Sequence, residues 1–207
     1  MRLDPLTLAP DDVADGESWE EVALVDTALP GIDARALGFV DARFEATDLS
    51  GARLLNLFLS DCELLRCDLS NAAVRGGSMR RVRVSGARLT GLAWTAGEIR
   101  DATFGDSRAD MASFEGTKFE RVVFEGCDLR DVDFRQARFE SVAFRGCDLS
   151  TADIGNARFS GGCEMSGCTL DGLRGVDRLR GVAMPWADIL AAAGTFAGEI
   201  GVRVLED

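Results

Sequence analysis

The sequence predicts an all-β solenoid: one chain wound into four-sided coils and closed at its C-terminal end by an α-helical cap. Three observations predict it. Large apolar residues recur every five positions, small residues recur two positions earlier, and both patterns stop before a helix-forming tail.

The large column starts at Phe39 and runs in steps of five to Phe159. Of its 25 positions, 24 hold a large apolar residue, Ala109 being the exception, and ten of the 12 Phe lie in it. The small column runs from Leu37 to Ala157 and is never charged. A period of five fits neither an α-helix nor an ordinary strand. It fits a chain that turns a corner every five residues and points one large and one small residue inward from each side. Four sides close a coil, so residues 20 apart stack at the inter-strand spacing of about 4.8 Å.

The elements follow in order. Residues 1–21 are acidic and interrupted by Pro, and read as an N-terminal arm or cap. Coiling spans 22–172. Its weak first repeats are Val22/Leu24, Thr27/Leu29 and Ile32/Ala34, with Pro30-Gly31 at a corner. Gly161-Gly162 shifts the register by one, and Cys163/Met165 and Cys168/Leu170 then resume the columns. This places Cys127, Cys147 and Cys168 in one stack and Phe104, Phe124, Phe144 and Met165 in another. The whole makes roughly seven coils and a shaft of about 35 Å. An open solenoid end exposes apolar columns and strand edges, so residues 173–207 are expected to cover it. Pro185 opens a helix over about 185–193 whose Trp186, Ile189 and Leu190 pack on the last coil, and a short strand follows over about 200–204.

Composition narrows the function. The 207 residues include no His and no Tyr, and Lys118 is the only Lys. No His-based nucleophile pair, His-ligated zinc or phosphate-cradling Gly-Lys loop can be built. The net charge of -12 opposes direct binding to nucleic acid. No apolar run is long enough to span a bilayer, and the N-terminus lacks the features of a secretory signal. The six Cys are expected reduced, in the cytoplasm.

Runs such as CDLRD, VDFRQ, ARFES, VAFRG, CDLST and ADIGN resemble the A-(D/N)-L-x-x consensus of pentapeptide-repeat proteins. The resemblance covers 37–159 without a gap and 22–172 more loosely. It implies a right-handed quadrilateral β-helix. It also implies a specific function, because the quinolone-resistance branch of the family consists of DNA mimics. Those relatives bind the type II topoisomerase DNA gyrase and confer quinolone or toxin resistance. The alternative is a structural or interaction scaffold with an unidentified protein partner, either a monomer or an end-to-end homodimer.

Two sets of residues are candidates for partner binding. Asp48, Asp68, Asp128 and Asp148 share one stack, interrupted by Arg88 and Arg108, and Asp133 and Asp153 lie in a neighbouring one. They offer an acidic surface to a basic partner. The plainer reading is that each bonds the turn backbone, as short polar residues do. The second set is a mid-shaft belt of Arg75, Arg80, Arg81, Arg83, Arg88 and Arg100, which would suit an acidic partner or pair with carboxylates across coils. Most of the net charge sits in the ends: residues 1–36 hold 2 basic and 9 acidic residues, whereas 37–159 hold 17 and 19. The stacked Cys read as inert core residues rather than metal ligands. An uninterrupted convex rod offers carboxylates such as Asp131 and Asp133 no cleft, so no catalytic, cofactor-binding or metal residue is assigned.

Overall fold

The computed structural model describes residues 3–203. The chain is a parallel β-solenoid of about eight turns, the four-sided coil that the five-residue period predicts. Short strands repeat every 20 residues. Wall 1 carries Ser18–Glu20, Gly38–Val40, Phe58–Ser60 and Ser78–Arg80. Wall 2 carries Val22–Val25, Arg43–Glu45, Glu63–Leu65 and Arg83–Ser85. In the next two coils, Glu98–Gly105 and Lys118–Glu125 run across the corner between these walls. Wall 3 is a column of single bridges from Ala28 to Thr169. Wall 4 carries Asp33–Arg35, Arg53–Leu55, Ala73–Arg75 and Ala93–Thr95, and then changes to bridges. Every pairing among the described residues is parallel, with partners 20 apart from Ser18↔Gly38 up to Gly161-Gly162 and 21 apart across it, as in Ala143↔Glu164, while the outermost pairs differ, Asp4↔Val22 being 18 apart and Glu164↔Ala183 19 apart.

The corner has a conformational signature that the period alone does not reveal. The second residue after each large inward residue adopts positive φ, from Glu21 to Asn156, and twenty of these residues are not Gly. Each such residue costs about 1–2 kcal/mol of backbone strain. A backbone bond to the next coil offsets that cost: Ala36 N–H donates to Leu55 O at 2.7 Å, Asn56 to Arg75 at 2.9 Å and Gln136 to Gly155 at 3.0 Å.

The lumen is filled by the two columns. Phe114, Phe119, Phe124, Phe134, Phe139 and Phe144 are each no more than 1% exposed. Phe104, Phe124 and Phe144 stack with centroids 4.9 and 5.0 Å apart, and Phe119, Phe139 and Phe159 at 5.1 and 4.7 Å. Complete burial of one such ring contributes about 2–3 kcal/mol. The small column is small for a reason seen best beside Trp94. A Cβ on Gly97 would lie 2.5 Å from Trp94 Nε1 and 2.6 Å from Gly77 O, and one on Gly77 would lie 2.8 Å from Trp94 Cζ2. The two glycines of this column are therefore the space that the indole occupies.

Both ends depart from the sequence expectation. Coiling reaches into the predicted arm, because Ser18–Glu20 pairs with Gly38–Val40 and Asp4–Pro5 with Val22–Val25. Leu6, Leu8 and Val13 pack on the first coils. At the other end two helices form, α1 (Trp186–Ala191) and α2 (Ala193–Glu199). Gly194 lies inside α2 and does not end the helix. Residues 201–203 form no strand, and Val204, the last residue of the predicted strand, lies outside the described residues, as do residues 1–2 and 205–207. The predicted contacts of the cap are partly wrong. Trp186 is 71% exposed and Leu190 58%, whereas Ala192 is buried and Phe196 packs on the core. The helices instead complete the last coil with side-chain acceptors. Asp188 Oδ2 takes the Gly167 N–H at 2.6 Å, Thr195 Oγ1 that of Gly172 at 3.2 Å, and Glu199 Oε2 that of Gly175 at 3.0 Å. No helix of the described residues is long and apolar enough to cross a membrane.

Gly97→Ala is expected to destabilise the protein by about 1–3 kcal/mol through overpacking, read from the midpoint of denaturant unfolding. Adding Trp94→Phe should recover part of that loss. A Gly97→Ala midpoint equal to wild type would contradict this packing.

Candidate protein-binding surface

In the lumen, an enclosed space among the leucines of the first coils is about 20 Å³, room for a single water. The stacked thiols are tied to the backbone. Cys127, Cys147 and Cys168 each donate to a carbonyl of the preceding coil, on Phe104 (3.3 Å), Phe124 (3.4 Å) and Phe144 (3.5 Å). Thr47 and Thr117 make the same bond to Leu24 and Trp94. This shared bond explains why the column accepts Cys and Thr as well as Ala. A hydrogen bond with Cys147 lowers the Cys127 thiol pKa, and the same contact pushes Cys147 up to about 11. Burial pushes Cys62 up to about 11. No group of metal-ligating side chains gathers among the described residues.

The candidate aspartates stand on the outer walls. All six candidate aspartates accept the backbone N–H two residues ahead. The distances are 2.8 Å for Asp48 to Ser50, 2.8 Å for Asp68 to Ser70, 3.3 Å for Asp128 to Arg130, 2.9 Å for Asp133 to Arg135, 3.0 Å for Asp148 to Ser150 and 2.8 Å for Asp153 to Gly155. Wall 4 illustrates how side-chain chemistry accompanies backbone shape. Where Arg53, Ala73 and Ala93 precede the inward residue, the wall is strand, as it is at Asp33, which does not serve the Arg35 amide because Asp15 takes it. Where Ser113, Asp133 and Asp153 precede the inward residue, the wall becomes bridge and turn, with the side-chain oxygen serving the amide.

Five of these aspartates also have an Arg within 4 Å. Arg130 and Arg135 grip Asp128 and Asp133 through two nitrogens each, at 2.8 and 2.6 Å and at 3.0 and 2.7 Å. Arg88 reaches Asp68 at 3.4 Å, Arg108 reaches Asp128 at 3.5 Å, Arg174 reaches Asp153 at 3.7 Å and Arg130 reaches Asp148 at 3.8 Å. The Arg130 bonds hold the Asp128 carboxyl below its usual pKa. At Asp133 burial pushes the pKa up, but the bonds from Arg135 outweigh it and the net shift is downward.

The Arg belt does not exist as a patch. Residues five apart occupy different walls, so Arg75 stands on wall 4, Arg80 and Arg100 on wall 1, Arg81 on the next corner, Arg83 on wall 2 and Arg88 on wall 3. Arg81 is bound to Asp61, and Arg100 bridges Glu98 (2.8 Å) and Glu120 (2.9 Å). Neighbours on the surface are 20 apart. Read that way, the walls show a group that step-by-five reading missed: Leu55 and Phe58 exposed at the corner of walls 4 and 1, among Arg35, Arg53 and Arg75. The signal was present in the sequence as a column of period 20.

Two family models match the chain, one described as pentapeptide repeats (8 copies) over residues 42–81 and one as pentapeptide repeat region over 77–154. Among solved structures it is similar to HetL of the cyanobacterium Nostoc sp. strain PCC 7120, a pentapeptide repeat protein involved in heterocyst differentiation regulation. The identity is 20%, over 83% of this chain and 91% of that one, with a TM-score of 0.50. It is also similar to trypsin-treated QnrB1, a plasmid-mediated fluoroquinolone resistance protein, at 17% identity over 89% and 99% of the two chains and a TM-score of 0.39. A comparison with curated proteins returns no match.

Asp133→Ala should cost about 1 kcal/mol, as loss of a capping oxygen does, and Asp133→Asn markedly less, because Asn keeps the acceptor. Equal losses in thermal melts would refute the turn-bonding role. The lowered carboxyl pKa values of Asp61, Asp101, Asp128 and Asp133 carry a sign. Their stabilisation is complete above the unfolded value of about 4 and is lost as pH falls through the folded values. Melting temperature should therefore fall below about pH 4.

Proposed function

The chain belongs to the pentapeptide-repeat family, and on that premise we propose that it is a non-catalytic protein-binding module, a stiff rod presenting fixed outer-wall side chains to a protein partner. The observation that carries this reading is the unbroken run of coils. From Phe39 to Phe159 no insertion rises from the walls to build a cleft. A convex surface cannot exclude water from a reaction. It can bind a partner at low entropic cost, since the inward columns and inter-coil bonds already fix the walls.

The finer reading is a DNA mimic that binds the type II topoisomerase DNA gyrase and confers quinolone or toxin resistance. Its supports are the family resemblance and the charge of -12. Duplex phosphates form an unbroken series of negative charges. Here the candidate carboxylates are tied to turns and arginines, and even the acidic corner column Glu21, Asp41, Asp61 is broken by Arg81 and Arg121. The geometry thus favours the interaction scaffold over the mimic.

A second copy is a further partner that one observation favours. Trp186, Leu190, Ile200 and Val202 are all more than half exposed at the C-terminal end. Of these, Ile200 lines a groove with Val176, Leu179, Met184, Ile189 and Phe196, and with the charged Asp177 and Arg180. An end-to-end homodimer would cover this apolar surface.

Three measurements test these readings. In a gyrase supercoiling assay with and without quinolone, the scaffold reading expects no inhibition or protection at micromolar protein. An effect abolished by Asn at Asp128, Asp133, Asp148 and Asp153 would reinstate the mimic. Affinity capture from the host should retain a stoichiometric protein partner, and retention of none would reject the module. Sedimentation should show a dimer that Trp186→Glu with Leu190→Glu converts to monomer; a wild-type monomer would exclude that assembly.

A further inference from the structure

Most outward positions of the walls are polar, which makes the corner of walls 4 and 1 an anomaly. Leu55 is 39% exposed and Phe58 42%, on either side of the corner residue Asn56. Phe58 is one of only two Phe outside the inward column. Its neighbours in the wall are Gly38 and Ser78, neither large enough to cover its ring. Leu55 stands between Arg35 and Arg75 in the coils on either side, and Arg53 precedes it by two on the same outward face.

The three arginines are exposed and make no ion pair among the described residues, although 18 ion pairs form elsewhere. Two carboxylates stand near without pairing: Asp33 lies beside Arg53 in register, and Asp15 is engaged with the backbone N–H of Arg35 at 2.7 Å. On a chain of net charge -12 this is an apolar surface framed by uncompensated guanidiniums.

We propose that this corner, Leu55 and Phe58 framed by Arg35, Arg53 and Arg75, docks an acidic polypeptide segment of a protein partner that carries a large apolar side chain. The inference rests on the protein-binding reading above and goes beyond it by naming a surface and the chemistry of its partner. An aromatic anchor ringed by arginines is the composition of an interface hot spot. The guanidiniums would fork the segment's carboxylates, and its apolar side chain would cover Phe58 and Leu55. Strand addition is not the mode, because the wall backbone is already paired to the coils on both sides: Asn56 N–H donates to Arg75 O at 2.9 Å and Phe58 N–H to Leu37 O at 2.8 Å. The pairing therefore depends on side chains that outward substitutions can remove without touching the core.

The probe is a fluorescein-labelled peptide, Glu-Asp-Glu-Leu-Phe-Asp-Glu-Asp, titrated with the full chain. The expected result is saturable, salt-sensitive binding, weakened about tenfold or more by Phe58→Ser and by Arg53→Gln with Arg75→Gln, and unchanged by Arg138→Gln with Arg158→Gln. Circular dichroism melts establish that each variant folds. No saturable binding, equal binding of a peptide with Ser in place of Leu and Phe, or equal binding by the Phe58 variant would overturn the proposal. So would anionic lipid vesicles or a mononucleotide displacing the peptide and binding through the same residues. Capture from the host separates this site from the broader reading. A partner retained equally by wild type and by Phe58→Ser removes the site and leaves the module standing. A partner retained by neither removes the module, and the peptide titration still decides the site.

Discussion

The structure depends on a bargain struck at every corner. A residue in the left-handed region turns the chain, at a backbone cost that few folds accept so often outside Gly. The same geometry aims its N–H at a carbonyl of the next coil. The turn is therefore stable only when another coil is present, and that coil stacks correctly only when its inward residues match those below. Corner, ladder and lumen form one cooperative unit, as in other solenoids where each repeat leans on its neighbours.

The inner columns divide the work by size. Stacked rings and aliphatic side chains fill the lumen, and the small column yields where a neighbour is large, as Gly77 and Gly97 yield to Trp94. Polar members of that column are admitted only with a partner. Thr47, Thr117 and every cysteine but Cys67, which meets Leu65 O in its own coil, meet carbonyls of the coil before them, so no unpaired hydroxyl is buried there. The ends face the opposite problem, amides with no next coil to receive them. Asp188, Thr195 and Glu199 supply that missing coil from helices, which makes the C-terminal cap a substitute for backbone acceptors as much as an apolar lid.

The same logic governs the walls. An outward carboxylate on this rod is first a turn acceptor and an ion-pair partner, and only then a surface charge. That order of duties removes Asp128 and Asp133 from any simple polyanion. It also shows why net charge is a poor guide to a binding surface, since charge is distributed by coil number and wall rather than by position along the chain. A patch is made by residues 20 apart, and one that breaks the polar rule of the walls lies at Leu55 and Phe58.

The amino-acid sequence by itself determined the period, the four-sided coil, the identity of the inward residues and the register shift at Gly161-Gly162. These follow from local rules, since a buried position must be apolar or small wherever it falls. The turn-bonding role of Asp48 and its counterparts was legible too, because the bond reaches only two residues ahead. Tertiary structure alone decided which outward residues meet. The belt from Arg75 to Arg100 dissolved because steps of five rotate a side chain to the next wall. Trp186 and Leu190 turned outward because Ala192 and Phe196 took the places against the last coil. Such choices arise from competition among several apolar residues for one surface, and a periodic pattern ends where that competition begins.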